Sequence, residues 1–169
     1  MNSKQKIQSK VIELLNSCQI SEPPIDVEKI AKCLGIDLNF VNFEDEDISG
    51  VLINKEGHVN IGINENHPLN RQRFTIAHEI GHYILHSDKP LFVDERFRDK
   101  TSSEGKNPEE VDANTFAAEL LMPEHFIRED MTQLKNWDEE SIRELAKKYQ
   151  VSAESFVYRL SNLGFELDL

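Results

Sequence analysis

The residues best suited to chemistry in this chain are His78, Glu79 and His82, which form an HExxH pattern inside an apolar-periodic stretch, 74–85. On an α-helix, residues four apart lie one turn apart on one face, so the two imidazoles can bind a single metal ion. Zn²⁺ suits such a pair, and Glu79, beside the first imidazole, can take a proton from water that the metal activates. The pattern predicts a helix that carries most of a hydrolytic zinc site.

A third protein ligand is needed, because a catalytic zinc ion usually has three of them and one open position. A histidine ten residues after His78 is excluded, because Asp88 occupies that position and Leu85 stands where the chain reversal requires glycine. No CxxC pair exists, which excludes a cysteine zinc site. The remaining option is a carboxylate on a later helix.

The predicted helix 109–122 offers four carboxylates, those of Glu109, Glu110, Asp112 and Glu119. Glu110 and Asn114 share a face with small residues, which allow close approach to the HExxH helix. Glu119 is expected to point toward solvent. We predict Glu110 as the third ligand, with Asp112 as the alternative, and Asn114 as a hydrogen-bond partner of a ligating group.

The elements that must position these residues follow from periodicity and from the residues that begin and end helices. Helices are predicted at 4–18, 27–34, 69–86, 109–122, 141–149 and 154–163, with a short one beginning at Pro123, and Asp26 and Asp138 are suitable N-caps. Strands are predicted at 36–43, 49–53 and 59–63, the last two joined by a hairpin turn. The fold class is therefore α+β, a small antiparallel sheet packed on helices.

The polar stretch 87–108 has almost no periodicity and is predicted to be a loop that acts as a lid or docking element. Residues 1–135 are predicted to form the main domain with its N-terminal helices. Residues 136–169 are predicted to form a helical cap on the same domain.

The bulk composition narrows the function classes. A net charge of −12 over 169 residues argues against nucleic acid or an anionic membrane as the main partner, although a basic partner is compatible. Neither a signal peptide nor a membrane span is indicated, so we expect a soluble cytoplasmic protein. Cys18 and Cys33 fall on apolar helix faces, and buried free thiols are the favoured prediction over a disulfide.

The segment 142–160 resembles a helix-turn-helix, which favours a rival class, a DNA-binding regulator. Gln150 replaces the usual turn glycine, and Arg159 is the only cation of the would-be recognition helix. DNA binding needs cations that neutralise phosphates, and the segment 138–169 is net acidic. We therefore interpret these helices as a structural cap and expect no DNA binding.

Three segments, 78–86, 97–105 and 110–123, resemble the ImmA/IrrE family of metallopeptidases. The resemblance implies a minimal zincin-like domain in which His78, His82 and Glu110 bind zinc and Glu79 is the catalytic base. The family commonly has Glu where this chain has Asp112, a conservative departure.

Members of the family typically cleave helix-turn-helix repressors of mobile elements or stress regulons. The absence of an N-terminal DNA-binding extension suggests the short, mobile-element or prophage type. The alternatives are a non-catalytic regulator that binds the repressor or DNA, and a toxin–antitoxin component. The sequence determines neither the cleaved bond nor the oligomeric state.

Overall fold

The computed structural model describes residues 2–86, 95–98, 107–134 and 136–166. The helices are α1 (Ser3–Ser17), α2 (Val27–Cys33), α3 (Leu69–Leu85), α4 (Pro108–Leu121), α5 (Glu124–Gln133), α6 (Glu139–Tyr149) and α7 (Ala153–Asn162). The strands are β1 (Ile36–Val41), β2 (Ile48–Lys55), β3 (His58–Asn64) and β4 (Glu95–Arg98). The α+β class is confirmed, and each predicted helix and strand is present within a few residues of its expected ends.

The predicted loop 87–108 lies mostly outside the described residues, so its role as a lid or docking element stays a prediction. Where the structure does describe this stretch, it shows β4, which the weak periodicity did not indicate, and Pro108, the first residue of α4, the helix predicted at 109–122.

The sheet is mixed, and the prediction of an antiparallel sheet was wrong for one pair of strands. The order is β1-β3-β2-β4, with β1 parallel to β3 and β2 antiparallel to both β3 and β4. Ile61 and Ile63 of β3 are fully buried. β3 and β2 therefore form the interior of the sheet, and β1 pairs with β3 instead of with β2, which follows β1 in the chain.

Local capping explains where several helices begin. The side chains of Asp26 and Asp138 accept hydrogen bonds from the backbone N–H groups of Lys29 and Ser141, each at 2.9 Å. Such caps satisfy N–H groups that have no partner inside the helix, so the predicted N-caps are confirmed. Asn107 caps α4 in the same manner, accepting from the N–H of Glu109 at 3.1 Å.

The prediction of free thiols was wrong, because a disulfide joins Cys18 to Cys33. Cys18 follows the last residue of α1 and Cys33 ends α2, and their Cα atoms are 5.8 Å apart. Cys33 is also exposed, not buried. Periodicity placed each cysteine on its own helix but contained no information on the distance between the two helix ends.

The C-terminal helices pack on the body of the molecule through buried polar groups. Arg159 of α7 is 4% exposed, donates to the carbonyl oxygen of Met122 at 3.1 Å and forms an ion pair with Glu119 of α4. Tyr149 of α6 donates to Asp130 of α5 at 2.8 Å. These contacts agree with a cap, while the division at 135/136 stays a prediction.

None of the helices within the described ranges has the length and apolarity that crossing a bilayer requires.

Candidate metal centre

Helix α3 places the HExxH residues inside the molecule. His78, Glu79 and His82 are 1%, 0% and 3% exposed, and the side chains of the two histidines meet with their Nε2 atoms 3.0 Å apart. A buried polar face on a helix is costly unless it has partners, so these side chains are expected to interact with one another or with polar groups of the neighbouring elements. Thr75 lies on the same face one turn earlier and is also buried.

Helix α4 brings a carboxylate to the two imidazoles. Glu110 Oε1 lies 3.1 Å from His82 Nε2, and Glu110 Oε2 lies 3.3 Å from His78 Nε2. One ligand atom from each of the three residues lies within 4.8 Å of the others, so the three side chains together could hold a metal ion. The predicted triad of His78, His82 and Glu110 is therefore brought together.

The donor set fits zinc. Zn²⁺ bound tetrahedrally by nitrogen and oxygen at about 2.0–2.1 Å separates its ligand atoms by about 3.3 Å. The separations of 3.0, 3.1 and 3.3 Å among the ligand atoms are close to that value. Two imidazoles and one carboxylate also leave a fourth position for water or substrate.

Asn114 lies one turn after Glu110 and contacts the first histidine, as the sequence indicated. Its Oδ1 is 3.0 Å from His78 Nδ1. If Nδ1 donates this hydrogen bond, the ring is held in the tautomer whose Nε2 lone pair faces the cluster, which is the arrangement that a metal ligand needs.

The electrostatics of the cluster favour the ionised carboxylate. Hydrogen bonds from His78 and His82 hold the pKa of the Glu110 carboxyl well below its usual range, although partial burial acts in the opposite direction. The ionised carboxylate is the form of this side chain that binds a divalent cation.

Two glycines that sequence reasoning did not single out set how closely the neighbouring elements approach. A Cβ on Gly81 would lie 3.1 Å from Phe116 Cδ1 and 3.2 Å from the carbonyl oxygen of Ala113, so α4 packs directly on the α3 backbone. A Cβ on Gly50 of β2 would overlap Thr75 Cγ2 and lie 3.7 Å from Glu79 Oε1. A glycine inside a strand often marks such a close approach, which is the signal that could have identified Gly50.

The other candidate carboxylates do not join the cluster. Asp112 Oδ1 accepts a hydrogen bond from Ser3 Oγ of α1 at 3.0 Å, so this side chain contacts α1 instead of the two histidines. The expectation that Glu119 faces solvent was wrong, because it is 3% exposed and paired with Arg159. Helical periodicity placed Glu119 away from the histidines but gave no indication that α7 covers it.

Comparison with curated proteins finds related metallopeptidases. The chain is 43% identical over 94 residues to the radiation response metalloprotease IrrE of Deinococcus radiodurans, covering 54% of this chain and 27% of that protein. It is 34% identical over 104 residues to the metallopeptidase ImmA of Bacillus subtilis, covering 62% of this chain and 56% of that protein. The chain thus spans about half or less of the length of these relatives.

A solved structure, a Mycobacterium tuberculosis transcriptional regulator, has the same fold over 93% of this chain and 46% of its own, with a TM-score of 0.64 and 16% sequence identity. At that identity the likeness concerns the fold alone. The peptidase M78 family model, described as the IrrE N-terminal-like domain, matches residues 31–161. That match includes α3, α4 and every residue of the candidate metal centre, and the chain belongs to this family.

Proposed function

We propose that this protein is a zinc-dependent endopeptidase that hydrolyses a peptide bond in a protein substrate. The observation that carries the proposal is the convergence of His78, His82 and Glu110, with Glu79 beside the first ligand on the same helix. The family and the names of the relatives, metalloprotease and metallopeptidase, support the same class of reaction.

Each residue of the centre has a separate role in the proposed reaction. Bound at His78, His82 and Glu110, Zn²⁺ would supply a Lewis acid that polarises the scissile carbonyl and makes water acidic enough to attack. Glu79 takes the proton of the attacking water and returns it to the amine of the leaving peptide, so that one water is consumed and two chain ends form. Asn114 keeps the His78 ring oriented.

The closed surroundings of Glu79 suit a general base. The side chain is fully buried, and the backbone of β2 approaches it at Gly50, where a side chain would intrude. Excluding bulk water from a base strengthens its electrostatic interactions with the reacting groups.

The substrate that we propose is a helix-turn-helix transcriptional repressor, cut in the cytoplasm. The support is the family resemblance carried by 78–86 and 110–123, together with the net charge of −12, which complements a basic DNA-binding protein. Direct DNA binding is disfavoured, because Arg159 is buried in an ion pair and cannot reach phosphates.

The test mixes the purified, zinc-loaded protein with helix-turn-helix repressors from the same genome and follows the products by mass spectrometry. Wild type is compared with Glu79→Gln, which keeps the metal ligands and removes the base. We expect one discrete cut by wild type only. A cut made equally by both proteins would overturn the role of Glu79, and relief of repression that survives Glu79→Gln without a cut would favour a non-catalytic binding protein.

A further inference from the structure

The third ligand, Glu110, depends on a contact that the HExxH motif does not supply. His78 and His82 are placed by the helix that carries them, but Glu110 lies in the first turn of α4, and residues 86–109 separate it from the end of α3. Its side chain is 32% exposed, against 1% and 3% for the two histidines. Something must therefore fix the start of α4 relative to the end of α3.

His86 is in a position to do so. It is the C-cap residue of α3, and its backbone N–H donates to the carbonyl oxygen of His82 at 3.0 Å. Its side chain, half-buried, extends from there to α4, where its Nε2 lies 3.4 Å from the carbonyl oxygen of Glu109, the residue directly before the third ligand. A carbonyl oxygen has two lone pairs, so it can accept this bond in addition to one within the helix.

We propose that His86 is a positioning residue for the metal centre: its Nε2–H donates to the Glu109 carbonyl and holds the first turn of α4 where Glu110 reaches the two histidines. The ring centroids of His82 and His86 are 5.5 Å apart, so the same residue lies alongside the second ligand as well. Two histidines of α3 are thus the proposed ligands, and His86, the C-cap residue four positions after His82, holds the neighbouring helix in place. The inference rests on the proposed metal site but not on the proposed peptidase activity.

Zinc affinity tests this role without any substrate. We expect His86→Leu to bind zinc about five- to tenfold more weakly than wild type in competition with a chromophoric chelator, the value of about one hydrogen bond. His86→Gln, whose side-chain amide can donate from nearly the same place as Nε2, should bind within about twofold of wild type. His125→Leu, at an exposed position on α5, is the matched control and should be unchanged.

A second measurement uses the metal-free protein. Amide hydrogen exchange at the first turn of α4 should accelerate in His86→Leu and return to the wild-type rate in His86→Gln, with the other helices unaffected. If His86→Leu does not fold by circular dichroism, His86→Ala replaces it.

The outcomes separate the two proposals. Equal zinc affinity of wild type and His86→Leu would overturn the role of His86 while leaving the metal site intact, and so would a His86→Gln protein as weak as His86→Leu. Failure of wild type itself to bind zinc would overturn the metal site and this inference together. Zinc binding as expected, combined with no cleavage of any repressor, would contradict the proposed function but support the inference.

Discussion

Helix α4 contributes a glutamate to each of two clusters of charged and polar side chains, and the two clusters differ in the partners of that glutamate. Near the start of the helix, the carboxylate of Glu110 lies 3.1–3.3 Å from the Nε2 atoms of His78 and His82. Near its end, Glu119 faces the guanidinium of Arg159, and both side chains are almost fully buried. The second cluster is neutral by itself, whereas the first consists of groups that a divalent cation would complete.

The contrast shows how burial alone fails to identify function. Glu119 and Glu79 are both acidic and nearly inaccessible. Glu119 forms an ion pair with Arg159 of α7 and accepts a hydrogen bond from the backbone N–H of Glu124 at 3.2 Å. It therefore connects α7 to the junction between α4 and α5, which is a structural role. The chemistry of the neighbours, not the depth of burial, therefore separates the proposed catalytic cluster from the structural one.

The largest expected effect is on stability, from breaking the ion pair between Glu119 and Arg159. Arg159→Met leaves the Glu119 carboxylate buried without its cation, and we expect the free energy of unfolding to fall by about 3–5 kcal/mol. Urea denaturation of the metal-free protein measures it. The double variant Arg159→Met with Glu119→Gln removes both charges and should recover most of the loss; if the double variant is no more stable than the single one, the pair is not what holds α7.

A comparable effect on binding, with a smaller loss of stability, is expected in the metal cluster. Glu110→Ala should weaken zinc affinity by more than about a hundredfold, since it removes a ligand. Because the Glu110 side chain hydrogen-bonds both buried histidines but is itself about a third exposed, the unfolding free energy of the metal-free protein should fall by only about 1–2 kcal/mol. Isothermal titration calorimetry measures the affinity.

Asp112→Ala, two residues further along the same helix, is the control for Glu110→Ala. It removes a carboxylate that contacts Ser3 and should leave zinc affinity unchanged. Weaker binding in Asp112→Ala and not in Glu110→Ala would show that the third ligand has been assigned to the wrong carboxylate.

A smaller effect on stability and on zinc affinity is expected at Gly81, where α3 and α4 are in contact. The added methyl group of Gly81→Ala would press on Phe116 and on the Ala113 carbonyl, and overpacking of this kind costs about 1–3 kcal/mol. The helices should move apart near Glu110, so zinc affinity should fall about tenfold as well. A loss of thermal stability with unchanged zinc affinity would show that the metal centre tolerates a wider helix separation.

The smallest effect concerns the structural polar contacts of α6. Burial, and then the hydrogen bond to Asp130, raise the pKa of Tyr149 well above its ordinary value. A raised folded-state pKa contributes stability that is present below the unfolded value near 10 and is lost as the pH rises beyond it.

Tyr149→Phe should cost about 1 kcal/mol at neutral pH, because one hydrogen bond is lost while Lys148 still pairs with Asp130. The difference between variant and wild type should shrink above pH of about 10, where the unfolded wild type ionises. Denaturation at pH 7 and pH 10.5 tests the sign; a difference that grows with pH would contradict the buried, protonated phenol.

Much of the fold was predictable because the signals are local. Asp26 and Asp138 capped the helices that they were expected to cap, and the HExxH helix begins at Leu69 as predicted. The sheet order and the Cys18–Cys33 disulfide were not predictable, because each depends on which elements become neighbours. The burial of Glu119 was not predictable for the same reason, since it depends on α7 packing against α4.

The sequence by itself determined the two histidines and Glu79, because four-residue spacing on a helix fixes their geometry without help from the rest of the chain. It also limited the candidates for the third ligand to carboxylates of one predicted helix, 109–122, with Glu110 preferred and Asp112 as the alternative. Only the tertiary structure decided that Glu110, and not Asp112, meets the histidines. Residues 86–107 separate α3 from α4, so which face of α4 packs on α3 depends on tertiary packing and not on local periodicity. The close approach of α4 to α3 at Gly81 brings the two helices together, and the contact between His86 and Glu109 is proposed to hold the first turn of α4 in place.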